Sequence, residues 1–129
     1  MRAIDTNIAA RYLLEDEPNQ YRVACAVLQG PVFIPITVLL ELGWLLEKRY
    51  RQPRAVVAEA LAELIDLPTV EVSNIALTRW TIARFRAGAD FTDMVHITMS
   101  GPVESFVTFE KGMPDDAGAN PPVPVQVVF

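Results

Sequence analysis

The sequence predicts an α/β fold with a mainly parallel central sheet. Short apolar runs alternate with longer segments in which apolar residues recur at helical spacing. Such alternation is typical of strand–helix–strand units, in which the strands lie parallel. With 129 residues, 51% of them hydrophobic, the chain is long enough to bury one core. We therefore expect a single domain over residues 1–129, with a Pro- and Gly-rich C-terminal segment from about residue 112.

The elements follow one another in a regular order. Strands are predicted over residues 2–4, 32–34, 70–72, 105–109 and 125–129, and helices over 7–14, 20–28, 37–50, 54–65, 74–86 and 93–100. Pro53 favours a helix start at residue 54, Ser73 and Thr92 are expected N-caps, and Gly88 and Gly101 are expected to end helices. The stretch 113–124 is rich in Pro, Gly, Asp and Asn, which predicts a loop or loosely held segment.

Charge and composition narrow the function classes. A formal net charge of −5 argues against unspecific adhesion to nucleic acid, although an active site built from carboxylates is itself acidic. The single cysteine, Cys25, cannot form an internal disulfide and is expected in the core, which favours a reducing compartment. The most apolar window, 32–46, is too short and too interrupted for a membrane span. We expect a soluble cytoplasmic protein without a membrane partner.

Four carboxylates fall at the boundaries of predicted elements. Asp5 ends the first strand, Glu41 lies early in the long third helix, Asp93 begins a helix, and Glu110 follows the strand 105–109. Ends of parallel strands and starts of the helices that follow them lie on one side of a sheet. We therefore expect these four acids to converge in one crevice.

Glu41 indicates what would hold the acids together. It is surrounded in the sequence by apolar residues, so we expect it to be buried, and a buried carboxylate needs a partner or a metal. The other acids would raise its pKa, whereas a divalent cation would stabilise the whole group. Oxygen ligands suit Mg²⁺ or Mn²⁺, and zinc gains no support because only His96 offers an imidazole. His96 itself is expected to pack or to support the ligands.

The order of these residues resembles the PIN-domain ribonucleases, and most closely the VapC-type toxins of toxin–antitoxin pairs. The resemblance rests on Asp-Thr-Asn at 5–7, Glu41, the run Gly-Ala-Asp-Phe-Thr-Asp at 88–93 and Thr-Phe-Glu at 108–110, and it spans residues 3–112. It implies a PIN-like three-layer α/β/α sandwich and hydrolysis of RNA with bound Mg²⁺ or Mn²⁺. It also implies a homodimer and a small cognate antitoxin protein.

Carried over residue by residue, the resemblance assigns roles to the site. Asp5, Glu41 and Asp93 would bind the metal, Thr6 or Asn7 would orient them, and Glu110 takes the place of the fourth acid. Relatives usually carry Asp at that fourth position, so the longer Glu110 would have to reach the metal differently or act through a water. Asp90 and Thr108 are assigned as supporting residues. Three roles remain open for Asp90: a metal ligand, a residue that supports the ligands, or only a cap.

Structural explanations remain open beside these roles. Asp5, Thr6 and Asn7 could form a helix cap and nothing more. Glu41 could pair with an arginine, and Asp93 could be stabilised at a helix start by the helix dipole alone. Glu110 can be an exposed turn residue. An aspartyl phosphotransferase is disfavoured, because Asn7 stands where that class needs a second acid. The main alternative function is a catalytically weak or inactive PIN-like module that binds RNA or a protein.

Basic and aromatic residues are the candidates for substrate contact. Arg79, Arg84 and Arg86 lie close in sequence to the acidic loop and can hold RNA phosphates or neutralise a helix end. Trp44 and Trp80 are expected first as anchors of the core or of an interface, and only secondarily as stacking platforms for bases.

Overall fold

The structure, a computed structural model, describes residues 1–128. The chain forms two compact units, Met1–Ile75 and the part from Ala76 onward, and each is described here by itself. Helices alternate with parallel strands in both, which confirms the predicted α/β class. The expectation of a single domain stays a prediction. Phe129, the last residue of the predicted final strand, lies outside the described residues.

The first unit contains a three-stranded parallel sheet and four α-helices. Its elements are β1 (Arg2–Ala3), α1 (Thr6–Leu14), α2 (Pro18–Leu28), β2 (Val32–Phe33), α3 (Ile36–Trp44), a π-helical turn (Leu45–Arg49), α4 (Arg54–Ile65) and β3 (Val70–Glu71). The strand order is β1-β2-β3, with Val32 opposite both Arg2 and Val70. Helical crossovers connect these strands, and such connections make neighbouring strands parallel.

The core of this unit explains why its elements form where they do. Fully buried side chains come from β2 and the two helices that follow it: Ile34 just after β2, Leu39 and Leu42 on α3, and Leu61 and Leu64 on α4. The spacing of three residues on α3 and again on α4 places each pair on one face. Cys25, predicted to be in the core, is only half-buried.

The predicted long helix over 37–50 has a different form in the structure. It begins one residue earlier at Ile36, and after Trp44 it widens into the π-helical turn. The hydrogen bond that defines this turn is donated by the amide of Tyr50 to the carbonyl oxygen of Leu45, five residues earlier, at 3.1 Å. A π-turn inserts an extra residue into the helical repeat, and such turns often occur at functional sites. Hydrophobic periodicity alone does not reveal it.

The second unit contains a two-stranded parallel sheet and three helices. Its elements are α5 (Ile75–Arg86), whose first residue closes the first unit, α6 (Phe91–Met99), β4 (Phe106–Thr108), α7 (Met113–Ala117) and β5 (Val125–Val127). The register pairs Phe106 with Val125 and Thr108 with Val127. The predicted strand at the end of the chain is therefore present, and its partner in this unit is β4.

The segment predicted as a loop over 113–124 is instead part of a core. Met113 and Ala117 lie one helical turn apart on α7 and are buried, as is Val123. They pack with Met94 and Ile97 of α6 in one hydrophobic cluster. The prediction of a loop was wrong for Met113–Ala117, because it counted turn-forming residues and overlooked the apolar side chains between them, whereas residues 118–124 contain no helix or strand, as predicted.

Arg84 fastens this segment to the end of α5. Its guanidinium donates to the carbonyl oxygens of Asp116, at 2.7 Å, and Asp115, at 3.2 Å. Gly118 follows with φ +80° and ψ −168°, a conformation that is essentially restricted to glycine. A Cβ at this position would lie 2.9 Å from the Arg84 guanidinium. The backbone angle therefore requires glycine, and any Cβ here would also displace the Arg84 guanidinium.

Within residues 1–128, no helix has the length and apolar character that crossing a membrane requires.

Candidate active site

A cleft in the first unit contains two of the four predicted acids. It has a volume of about 240 Å³ and lies where β1 leads into α1, beside α3 and its π-helical turn. The side chains that line it are Asp5, Thr6, Asn7, Glu41, Trp44 and Leu45. The structure thus brings together residues that are 36 positions apart in the sequence, Asp5 and Glu41.

Asp5 occupies this cleft as the N-cap of α1. Its backbone is extended and lies two residues after β1, and its Oδ1 atom accepts a hydrogen bond of 3.1 Å from the amide of Ile8. Aspartate is among the best residues for this position, because it satisfies an amide that the helix leaves unpaired. The capping role considered from the sequence is therefore confirmed. It occupies one carboxylate oxygen of an exposed side chain, so it is compatible with metal binding through the other.

Glu41 lies on the exposed side of α3, which corrects the expectation that it is buried. The apolar neighbours in sequence point elsewhere, since Leu39 and Leu42 face the core. The buried hydroxyl of Thr6 donates to Glu41 Oε1, so the partner of Glu41 is a threonine rather than an arginine. Thr6 therefore orients Glu41, while Asn7 lines the same cleft in the first turn of α1.

A second group of acids lies in the second unit. Asp93 is half-buried in the first turn of α6, and burial raises the pKa of its carboxyl. The negative charges of Asp90 and Asp116 raise this pKa further, whereas His96 lowers it. His96 is exposed rather than packed. The anionic form of Asp93 is thus disfavoured by its surroundings, and a bound cation would reverse that effect.

Asp90 is the N-cap of α6. Its Oδ1 atom accepts a hydrogen bond of 2.9 Å from the amide of Asp93. The helix begins at Phe91, so the prediction that Thr92 caps it was wrong. Both Asp90 and Thr92 are good capping residues, and the sequence pattern alone favoured the one nearer the apolar run. The structure shows the capping role of Asp90 and leaves its role as a ligand a prediction.

Glu110 and Thr108 form a turn at the end of β4. The amide of Glu110 donates to Thr108 Oγ1 at 3.0 Å, and the Glu110 side chain is exposed. Among the predicted RNA contacts, Arg86 is exposed at the end of α5 and Arg79 is exposed about two helical turns earlier. Arg84 instead uses its guanidinium to hold the α7 carbonyls. Phosphate binding by these three residues stays a prediction.

Sequence reasoning missed one residue of these sites and ranked a role of another low. Trp44 was expected first as an anchor of the core or of an interface and secondarily as a stacking platform, and with 60% of it exposed in the cleft beside Glu41 it is not a core residue. Asp116 was assigned to a loop, yet its charge acts on Asp93. Pro114 followed by two aspartates is a helix-start pattern that could have indicated α7. Nothing in the local sequence distinguishes Trp44 from a core tryptophan.

The donors in each unit fit a hard divalent cation. Within neither unit of the described chain do three or more His, Cys, Asp or Glu side chains form a group that could hold a metal ion. Mg²⁺, however, is commonly bound by one or two carboxylates together with waters and substrate phosphates. Asp5 and Glu41 supply two such carboxylates in the first unit. Convergence of all four predicted acids stays a prediction.

Comparison with known families agrees with this architecture. A family model described as PIN domain matches residues 3–100, which is most of the chain and includes Asp5, Glu41 and Asp93. No curated protein matches the chain. PIN domains are generally nucleases and typically bind divalent metals. Parallel strands joined by helices, an aspartate at the end of β1 and a match of this length show together that this chain belongs to the PIN domain family.

Proposed function

We propose that this protein is a metal-dependent endoribonuclease that hydrolyses RNA phosphodiester bonds, and that it is the toxin of a toxin–antitoxin pair. The observation that carries the nuclease proposal is the cleft in which Asp5 and Glu41 meet. Membership of the PIN family supports a nuclease-type activity for that cleft. The VapC-type order of the four acids, with Glu110 in fourth place, supports the toxin assignment.

The residues of the chain have distinct tasks in this reaction. Asp5, Glu41 and Asp93 would hold Mg²⁺ or Mn²⁺, and Thr6 keeps Glu41 oriented through its hydroxyl. The ion, when bound, supplies a water of lowered pKa and positive charge beside the scissile phosphate. A carboxylate of the set would accept the proton of the attacking water; the P–O bond to the leaving ribose oxygen would break, that oxygen would take a proton from solvent, and no covalent bond to the protein would form. Arg79 and Arg86, exposed on α5, would contact neighbouring phosphates.

A groove beside the cleft supports the proposal of a small antitoxin. It has a volume of about 490 Å³ and is lined on α1 and α2 by Asn7, Ile8, Arg11, Asn19, Gln20 and Val23. Asn7 also lines the cleft with Asp5 and Glu41, so the two depressions adjoin. A peptide segment that occupied the groove would reach the acids. A homodimer and a cytoplasmic location belong to the same proposal.

The decisive experiment is an RNA cleavage assay with matched variants. Purified protein should cut RNA in Mg²⁺ or Mn²⁺ and stop when a chelator is added. Asp5→Asn should lose the activity while remaining folded, because asparagine caps a helix about as well as aspartate. Cleavage by Asp5→Asn at the wild-type rate would contradict the proposal. Growth arrest on expression, relieved by Asp93→Asn, would support the toxin assignment.

One specific observation favours a second candidate function. Glu110 stands where relatives usually carry Asp, and the structure places it as an exposed turn residue. This favours a catalytically weak or inactive module that binds RNA or a protein. Wild-type protein that binds RNA and cuts none with any divalent metal would establish that function instead.

A further inference from the structure

Trp44 occupies an unusual position for a large apolar side chain. It is the last residue of α3, three positions after Glu41, and it lines the 240 Å³ cleft with Asp5 and Glu41. Its relative exposure is 60%, whereas Leu42 and Leu46 on either side are buried. Residues three apart on a helix are neighbours on its surface. The indole therefore stands beside the Glu41 carboxylate and is open to solvent.

The local backbone supports this placement. The π-helical turn begins at Leu45, immediately after Trp44, and Leu45 lines the same cleft. Leu42 and Leu46 are buried and lie four residues apart, so they share the face of the helix that packs in the core, and Trp44, midway between them, lies on the opposite side. The exposed indole is thus built into the helix and is not a consequence of a frayed end.

We propose that Trp44 is a stacking platform for one unpaired base of the RNA, next to the phosphate that is cut, and that the substrate is therefore single-stranded at that point. This inference rests on the proposed function. It concerns recognition of substrate, whereas the acids concern the reaction itself.

Charge and size favour a base over other occupants of the cleft. None of the six side chains that line the cleft is basic, and the chain carries a net charge of −5, so contacts to phosphates other than the one beside the proposed metal ion bind weakly here. Stacking on an aromatic ring needs no positive charge and accepts every base. The volume of about 240 Å³ lies below the range of roughly 300–1,000 Å³ that is usual for drug-sized ligands. A single unpaired base fits a cleft of this volume, whereas the bases of a duplex are paired and stacked and cannot enter it.

Fluorescence of Trp44 tests the contact directly. The probe is a short single-stranded RNA titrated into the double variant Asp5→Asn, Trp80→Phe, in which Trp44 is the only tryptophan and cleavage is blocked. We expect quenching of the emission by this RNA and little quenching by the same RNA annealed into a duplex. A series of RNAs that each lack one base, at successive positions, should lose the quenching when the missing base is the one that stacks on Trp44.

Cleavage kinetics test the role of the contact. Trp44→Ala should raise KM for single-stranded RNA about 5- to 100-fold with a much smaller change in kcat, because stacking contributes to binding. Trp44→Phe, which keeps an aromatic face, should recover most of this loss. Val56→Ala is the matched control, since Val56 is also an exposed apolar side chain, 51% exposed, but lies on α4.

The outcomes separate the two proposals. Wild-type cleavage with an unchanged KM for Trp44→Ala would overturn the stacking role and leave the nuclease intact. Quenching by RNA without any cleavage would support the stacking role and remove the nuclease. Two results would overturn the proposal and identify Trp44 as a protein contact. RNA would leave the emission of Trp44 unchanged, and Trp44→Ala would dissociate a dimer that the wild-type protein forms.

Discussion

The two units of the molecule surround their acids in contrasting ways. In the first unit, Asp5 and Glu41 are exposed, and each accepts a hydrogen bond, from an amide and a hydroxyl respectively. In the second unit, Asp93 is half-buried, and the charges of Asp90 and Asp116 act against its ionisation. The first arrangement orients carboxylates before any ligand arrives. The second makes a carboxylate unfavourable until a cation or a proton neutralises it.

The largest expected effect tests whether both arrangements serve one reaction. Glu41→Gln and Asp93→Asn should each reduce RNA cleavage about 100-fold or more, because removing a metal ligand removes several kcal/mol of transition-state stabilisation. Single-turnover cleavage in Mg²⁺ measures both variants. Glu59→Gln is the control, since Glu59 is an exposed carboxylate on α4. Full activity of either variant would remove that carboxylate from the metal-binding set.

The second effect concerns Gly118 and Arg84, which hold the helix that carries Asp116. Gly118→Ala should lower the free energy of unfolding by about 1–3 kcal/mol, because this backbone region is essentially restricted to glycine. Its Cβ would also displace the Arg84 guanidinium. Chemical denaturation measures the loss. Gly112→Ala, at φ −81° and with no atom within 4 Å of the new Cβ, should change stability far less. Equal effects of the two variants would contradict the requirement for glycine at position 118.

A third effect separates orientation from stability. Thr6→Val removes the hydroxyl that donates to Glu41 and should reduce cleavage about tenfold, as loss of a group that orients a metal ligand commonly does. Thr81→Val removes a buried hydroxyl that lies 2.6 Å from that of Thr98. It should cost about 1 kcal/mol of stability and leave the cleavage rate unchanged. A Thr6→Val enzyme as active as wild type would mean that Glu41 needs no orienting partner.

The smallest effect is the pH dependence of the metal-free protein. The pKa of Asp93 is raised in the folded state, so folding favours the protonated carboxyl. Its contribution to stability is full at low pH and is lost as the pH rises through the folded-state pKa. Asp93→Asn does not titrate there, so its melting temperature relative to wild type should rise from acidic pH towards neutrality. A difference that falls over this range would contradict the raised pKa.

Local sequence determined many of the elements because their signals are local. Helix α4 begins and ends where proline at position 53 and the apolar spacing predict, and α5 starts within one residue of its predicted boundary. Asp5 as a cap follows from its place between a short apolar run and a helical pattern. Helix α7 escaped prediction because five residues are too few to show a helical repeat.

The order of acids in the chain was sufficient to indicate a PIN domain, since the order and spacing of residues are properties of the sequence alone. Only the tertiary structure decided that Glu41 is exposed and hydrogen-bonded to Thr6, and that Trp44 is open to solvent. Exposure depends on which face of a helix its neighbours cover. The packing of segments that are distant in the sequence sets that face, and it is not encoded in the residues beside Glu41.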